Sequence, residues 1–294
     1  MQLDLFLDSC SVVLANDTIG ALAARDAARA RAALNRLRAE VPDYPHIDAF
    51  ECLCVALATW SAPRADAATI ERAVDWLDRD IAPAARGALG EAAAGFIASF
   101  FRSLAEAARG HAYDPAHPRA HRAWLSLRCG EWQEAEDAAD AIPQPRSTAD
   151  AIHWRCIARY RRAGLASARS GFFELAWRAP SRFASLLAEL EDELLQREWR
   201  RFETACEWES VDETDLPAWF PAWFLLEHPA SGAAIEDATF PATPAADAAR
   251  LLIELLDTEK HGDSRRLVGR RARLRELNHE LFDLYMAKRT TRYL

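Results

Sequence analysis

Glycine is scarce in this chain, at 11 of 294 residues, and β-branched residues are few. The turns and strand formers that a sheet protein needs are therefore missing. Uncharged runs are short. None approaches the ~20 residues required to cross a bilayer, which leaves a membrane span unexpected. The first residues, Met1-Gln2-Leu3-Asp4-Leu5-Phe6-Leu7-Asp8, have no basic segment, and two aspartates bracket an apolar stretch too short for a secretory leader. Phosphate-cradling glycine loops are missing too, since neither GxGxxG nor GxxxxGK[ST] occurs. There is no GxSxG turn to expose a serine nucleophile, and no cysteine stands in a recognisable catalytic setting. Together these absences point away from enzymes, cofactors and membranes, and the expected location is the cytoplasm.

Alanine, leucine, arginine and glutamate dominate what is present. They lose little side-chain freedom in a helix, so composition favours helix before any pattern is read. Six cysteines (Cys10, Cys52, Cys54, Cys129, Cys156, Cys206) are scattered through helical patterns, as expected for reduced, mostly buried thiols. The formal charge of −9 repels phosphate backbones at long range and disfavours general nucleic-acid binding.

Periodicity predicts helices over 9–24, 26–40, 46–60, 66–80, 84–109, 118–129, 131–141, 147–163, 165–178, 181–208, 245–259 and 263–289. Prolines at 42, 45, 63, 83, 115, 118, 143, 145 and 180 fall between most of them. Gaps this short make consecutive helices antiparallel. Residues 209–244 differ, with five prolines and the block Trp219-Phe220-Pro221-Ala222-Trp223-Phe224. They read as an ordered, irregular crossing between a helical body (1–208) and a C-terminal helical pair (245–294). Exposed, the aromatic block would be a docking patch; buried, it would plug the core.

Self-similarity sharpens the architecture. Gly130-Glu131-Trp132-Gln133-Glu134-Ala135 follows an amphipathic stretch holding Trp124, Leu125 and Leu127. It resembles the turn and second-helix start of a tetratricopeptide repeat. Two further frames resemble the same unit. One has Arg25-Asp26-Ala27 at its turn, with Ala30, Leu34, Leu37 and a closing Pro42; the other has Gly164 at its turn, with Phe173, Ala176 and a closing Pro180. The frames cover about a third of the chain, and Asp17 and Arg122 stand where the family carries leucine.

The resemblance implies an all-α α-solenoid of stacked antiparallel hairpins, acting as a non-enzymatic scaffold or adaptor for a protein or peptide partner. It also implies a groove lined by the first helix of each unit, which assigns Trp124, Arg128, Trp154, Arg161 and Arg162 to peptide contact. Arginines beside tryptophan suit an acidic or C-terminal segment, through forked hydrogen bonds and apolar anchors.

The alternative is a nucleic-acid-associated regulator. Arg265, Arg266, Arg270, Arg271, Arg273 and Arg275 crowd eleven residues of the last predicted helix, and they suit an anionic contact. That contact would be nucleic acid, an acidic partner, or the chain's own acidic 207–215 segment. Metal chemistry is not expected. His117 and His121 lie four apart near His111 and Cys129, but Pro118 interrupts the spacing and no acid stands between the pair. Cys52 and Cys54, two apart on a helix, diverge.

Overall fold

The computed structural model describes residues 10–62, 66–190, 192–206, 208–235, 238–261 and 264–291. The predicted breaker Pro63 and the Met1–Asp8 stretch lie outside them. Among the described residues the fold is all-α, without a strand. It forms two compact units, 1–138 and 139–294, each with its own apolar core.

The first unit contains α1 (Cys10–Ala23), α2 (Ala27–Glu40), α3 (Ile47–Thr59), α4 (Ala67–Trp76), α5 (Ala82–Leu89), α6 (Ala92–Ala107) and α7 (Arg122–Arg128). The division from the second unit falls within α8 (Trp132–Asp140). α1 and α2 form the expected hairpin. Arg25 turns the chain at φ 58°, and the Asp26 side chain caps α2 by accepting from the Arg29 N–H at 2.9 Å. Ala21, Leu22, Ala30, Leu34 and Leu37 are buried in this unit's core with Phe50, Phe100 and Phe101.

Pro83 does not end a helix as expected. A single π turn over Leu77–Ile81 joins α4 to α5 through helical backbone, and its wider bonding just before Pro83 accommodates a residue that has no N–H to donate. The break comes at Gly90 instead. Its backbone (φ 53°, ψ −126°) is open to glycine and strained for other residues, so the predicted 84–109 helix divides into α5 and α6.

The second unit begins its helices with α9 (Ala149–Arg178), which folds back on itself at Gly164 (φ 77°, ψ −177°). Its arms, 149–163 and 165–178, lie side by side. A Cβ added to Gly171 would stand 2.7 Å from Cys156 Sγ, the Tyr160 and Phe172 rings are 6.2 Å apart, and Arg155 pairs with Glu174 at 3.3 Å. Residues 12–19 apart meet this way only in a hairpin, because a straight helix separates them by 1.5 Å per residue.

The predicted 181–208 helix is two, α10 (Pro180–Glu189) and α11 (Glu193–Ala205). Asp192 starts the second by accepting from the Leu195 N–H at 2.9 Å. After α11 come 3₁₀ turns over Leu216–Trp219 and Pro229–Ile235 around α12 (Phe220–Glu227). The aromatic block is buried: Trp219, Phe220, Trp223 and Phe224 are each under a tenth exposed. Phe220 lies at its centre, with the Phe183, Trp199 and Phe202 ring centroids each 5.5 Å away.

The C-terminal pair is a trio, α13 (Pro244–His261), α14 (Ser264–Leu277) and α15 (His279–Thr291). Asn278 makes the unforeseen break. Its side chain caps α15 by accepting from the Leu281 N–H at 2.7 Å, a local bond that competes with continuing the helix.

Candidate functional site

α11 is the most sharply two-faced helix of the second unit. Leu195, Glu198 and Phe202 are buried on one side. On the other, Arg197, Arg200, Arg201 and Thr204 follow the i, i+3, i+4, i+7 spacing that puts them on one face. These four line an open cleft of about 410 Å³, whose far wall is Trp223 and Glu227 from α12.

Two carboxylates set the arginines in place. Glu198, 1% exposed, lies 2.8 Å from Arg201 and 3.2 Å from Arg197, with His228 Nε2 at 3.3 Å. Burial alone would push the Glu198 carboxyl up. The bonds from His228 and Arg197 and the charge of Arg201 outweigh that and hold it below the usual carboxylate range. Glu227 takes Arg201 at 2.8 Å and Lys288 at 2.6 Å, and the Arg201 guanidinium stands 5.8 Å from the centre of the Trp223 ring. Arg200 differs from its neighbours. Among the described residues it donates only its Nε, to the Gln196 carbonyl at 3.2 Å, and it lines the cleft without an ion pair to a carboxylate there. Arg197, Arg200, Arg201 and Lys288 against Glu198 and Glu227 give an excess of two positive charges in a chain whose net charge is −9.

The residues assigned to peptide contact fall in both units. Trp124 and Arg128 come together in the first. Arg128 stands 4.4 Å over the Phe101 ring and 5.0 Å over Trp124, and forks onto Asp78 at 2.6 and 3.3 Å. That guanidinium is already committed. In the second unit Trp154 is 4% exposed, so its ring is a packing element rather than an anchor for a ligand. Arg161 and Arg162 are exposed at the end of the first α9 arm, beside the Gly164 turn.

The six arginines of α14 divide. Arg270 turns onto α13, with Nε 3.0 Å from Glu254 and a further bond to Thr258. Arg271 reaches the Tyr285 hydroxyl at 3.1 Å and Glu259 at 3.3 Å, a buried network that Arg289 joins. Arg265, Arg266, Arg273 and Arg275 are exposed, Arg273 with Glu276 at 2.9 Å. In the acidic 207–215 segment, the Glu209 and Ser210 N–H groups donate to Glu280.

Comparison with protein-family models, with curated proteins and with solved structures finds no match to this chain.

The histidines have structural partners. His117 Nδ1 is 2.6 Å from Glu71, and His121 caps α7 by accepting at Nδ1 from the Ala123 N–H at 3.2 Å. Burial, helped by the Arg122 charge, lowers the His121 pKa to about 4, which keeps that nitrogen an acceptor. Among the described residues no three His, Cys, Asp or Glu side chains are grouped to hold a metal ion. Burial pushes the Cys129 thiol up to about 11 and the Cys156 thiol up to about 12, so neither offers a ready thiolate.

Sequence alone does not single out the α11 cleft, because Arg197, Arg200 and Arg201, following the acidic Glu189, Asp192 and Glu193, have the spacing of ion pairs on a solvated helix face. The signal that would have found it is the spacing itself. Four polar residues at i, i+3, i+4, i+7 oppose a buried face that carries a lone glutamate.

Proposed function

We propose that this chain is a non-enzymatic binding protein whose second unit takes up an acidic segment of a protein partner along the α11 arginines. The observation that carries the reading is Arg200. Its forked donors stand on a cleft wall between two arginines already positioned by buried or half-buried carboxylates, with a tryptophan opposite. Such a wall suits carboxylates through paired hydrogen bonds, while Trp223 and the arginine stems cover apolar side chains between them. The scaffold part of the reading rests on the α1–α2 and α9 hairpins, whose turns fall at Arg25 and Gly164 as the tetratricopeptide-like frames have them. The frames depart from the family's regular spacing: α7 and α9 begin at 122 and 149, fewer residues apart than the ~34 of a tetratricopeptide unit.

Arg200→Glu tests the site cleanly, because it removes no bond to a buried carboxylate. With a fluorescein-labelled peptide of alternating glutamate and leucine as probe, affinity should fall by about tenfold or more in the variant. It should also fall with added salt in the parent, while melting temperature stays unchanged. Unaltered affinity removes the proposal. Tighter binding of a single-stranded RNA of equal length, lost on reversing Arg273 and Arg275 but not Arg200, would favour the nucleic-acid reading instead.

A further inference from the structure

Glu227 lines a second cavity as well as the arginine cleft. This one is about 380 Å³ in volume, within the ~300–1,000 Å³ range of ligand pockets. Its apolar walls come from three helices and a turn: Leu226 of α12, Leu256 of α13, Leu284 and Ala287 of α15, and Pro229 at the start of the second 3₁₀ turn. Leu256, Leu284 and Pro229 are half-buried and Ala287 is exposed, so apolar surface stays open there. Lys288 and Arg289 also line it, but both are committed. Lys288 Nζ is 2.6 Å from Glu227, and Arg289 pairs with the buried carboxylate of Glu259. Charges matched in this way give a further ion little to gain, whereas an aliphatic group gains by leaving water.

The shared carboxylate joins the cavity to the cleft. One Glu227 oxygen takes Arg201 of α11 at 2.8 Å, and the other takes Lys288 of α15 at 2.6 Å. Two nitrogens held by one carboxylate are no further apart than about two extended residues, ~7 Å. An extended segment lying along the arginines thus brings a side chain to the cavity within about two residues of its acids.

We infer that the cavity seats a large aliphatic side chain, of leucine size, carried by the acidic segment next to its acids. The inference rests on the arginine-cleft reading and extends it. The excess positive charge along α11 selects a segment that bears carboxylates, and the open leucine and proline walls select an apolar neighbour beside them. An anchor of this kind, buried in a pocket and flanked by polar contacts, holds a segment in one register. Its contribution comes from apolar burial and is not screened by salt, unlike that of the acids.

The test compares two fluorescein-labelled peptides on the full chain, one alternating glutamate and leucine, the other with every leucine replaced by serine. The serine peptide should bind about tenfold or more weakly. Ala287→Trp places an indole on the cavity wall at an exposed position, so melting temperature should hold. It should bring the leucine peptide down to the affinity of the serine peptide and leave the serine peptide unaffected. In a chain labelled with ¹³C-leucine, the methyl signals of Leu256 and Leu284 should move with the leucine peptide and stay with the serine peptide. Equal affinity for the two peptides overturns the inference, as does an Ala287→Trp chain that binds the leucine peptide as tightly as the parent. Arg200→Glu separates that failure from failure of the arginine reading. It weakens both peptides if the arginines hold the acids; if it weakens neither, the arginine reading falls and this inference with it. A dimer lost in Ala287→Trp, with peptide affinity unchanged, would give the cavity to a second copy of the chain instead.

Discussion

His121 and His153 carry the clearest consequence of burial for a single side chain. Burial, together with a neighbouring arginine (Arg122 and Arg182 respectively), brings each from 6.5 to about 4; for His153 the nearby Asp150 opposes this. Between those two values the unfolded chain binds protons that the folded chain refuses, so stability falls as pH drops from 6.5 towards 4. Melting temperature should therefore decline across that window. His153→Phe, which cannot titrate, should make the decline shallower; a slope identical to the parent's would contradict the assignment. The same balance between burial and partners explains the α11 face. Glu198 stays charged in the core because His228, Arg197 and Arg201 surround it, and the arginines gain fixed positions in return. Sequence shows the alternation of charges there, but not that one glutamate of the run points inward.

At the scale of elements, the hairpin made by α9 shows how much a few residues decide. Gly164 supplies the turn, and Gly171 lets the returning arm approach Cys156. Gly171→Ala would place a methyl group 2.7 Å from a buried sulfur, so the arms must part or the cysteine must shift. We expect a loss of about 1–3 kcal/mol, measured by urea unfolding, with much of it restored when Cys156→Ala is added. No recovery in the double variant would mean that the close approach is not the cause. Helix ends follow the same local logic. Asp26 and Asp192 are cap residues whose type and position are visible in sequence. Asn278 and Gly90 split helices expected to be continuous, because amphipathic patterns on either side of a break run together when the break adds only one or two residues. Pro83 misleads in the other direction, since the π turn before it lets the helix continue.

Over the whole molecule, the two apolar cores are separate sets of side chains, one around Phe100 and Phe101 and one around Phe220. Truncating one residue in each should therefore act on different transitions. Phe101→Ala and Phe220→Ala are each expected to cost about 3–5 kcal/mol. Site-resolved hydrogen exchange should show the first lowering protection in 10–138 and the second in 139–291, and uniform loss throughout in both variants would show one cooperative unit instead. The sequence by itself determined the all-α class, the absence among the described residues of a helix long and apolar enough to cross a membrane, most helix positions, and the turns at Arg25 and Gly164. Those follow from composition, periodicity and local backbone chemistry, which act within a few residues. Only the tertiary structure decided that the Trp219–Phe224 block is buried, that Trp154 packs rather than binds, and that Arg270 and Arg271 turn onto α13 and Glu259. It also decided that Arg197, Arg200 and Arg201 of α11 line one cleft with Trp223. Such outcomes depend on which faces of distant segments meet, and an arginine reads the same in sequence whether its partner is a buried glutamate or water.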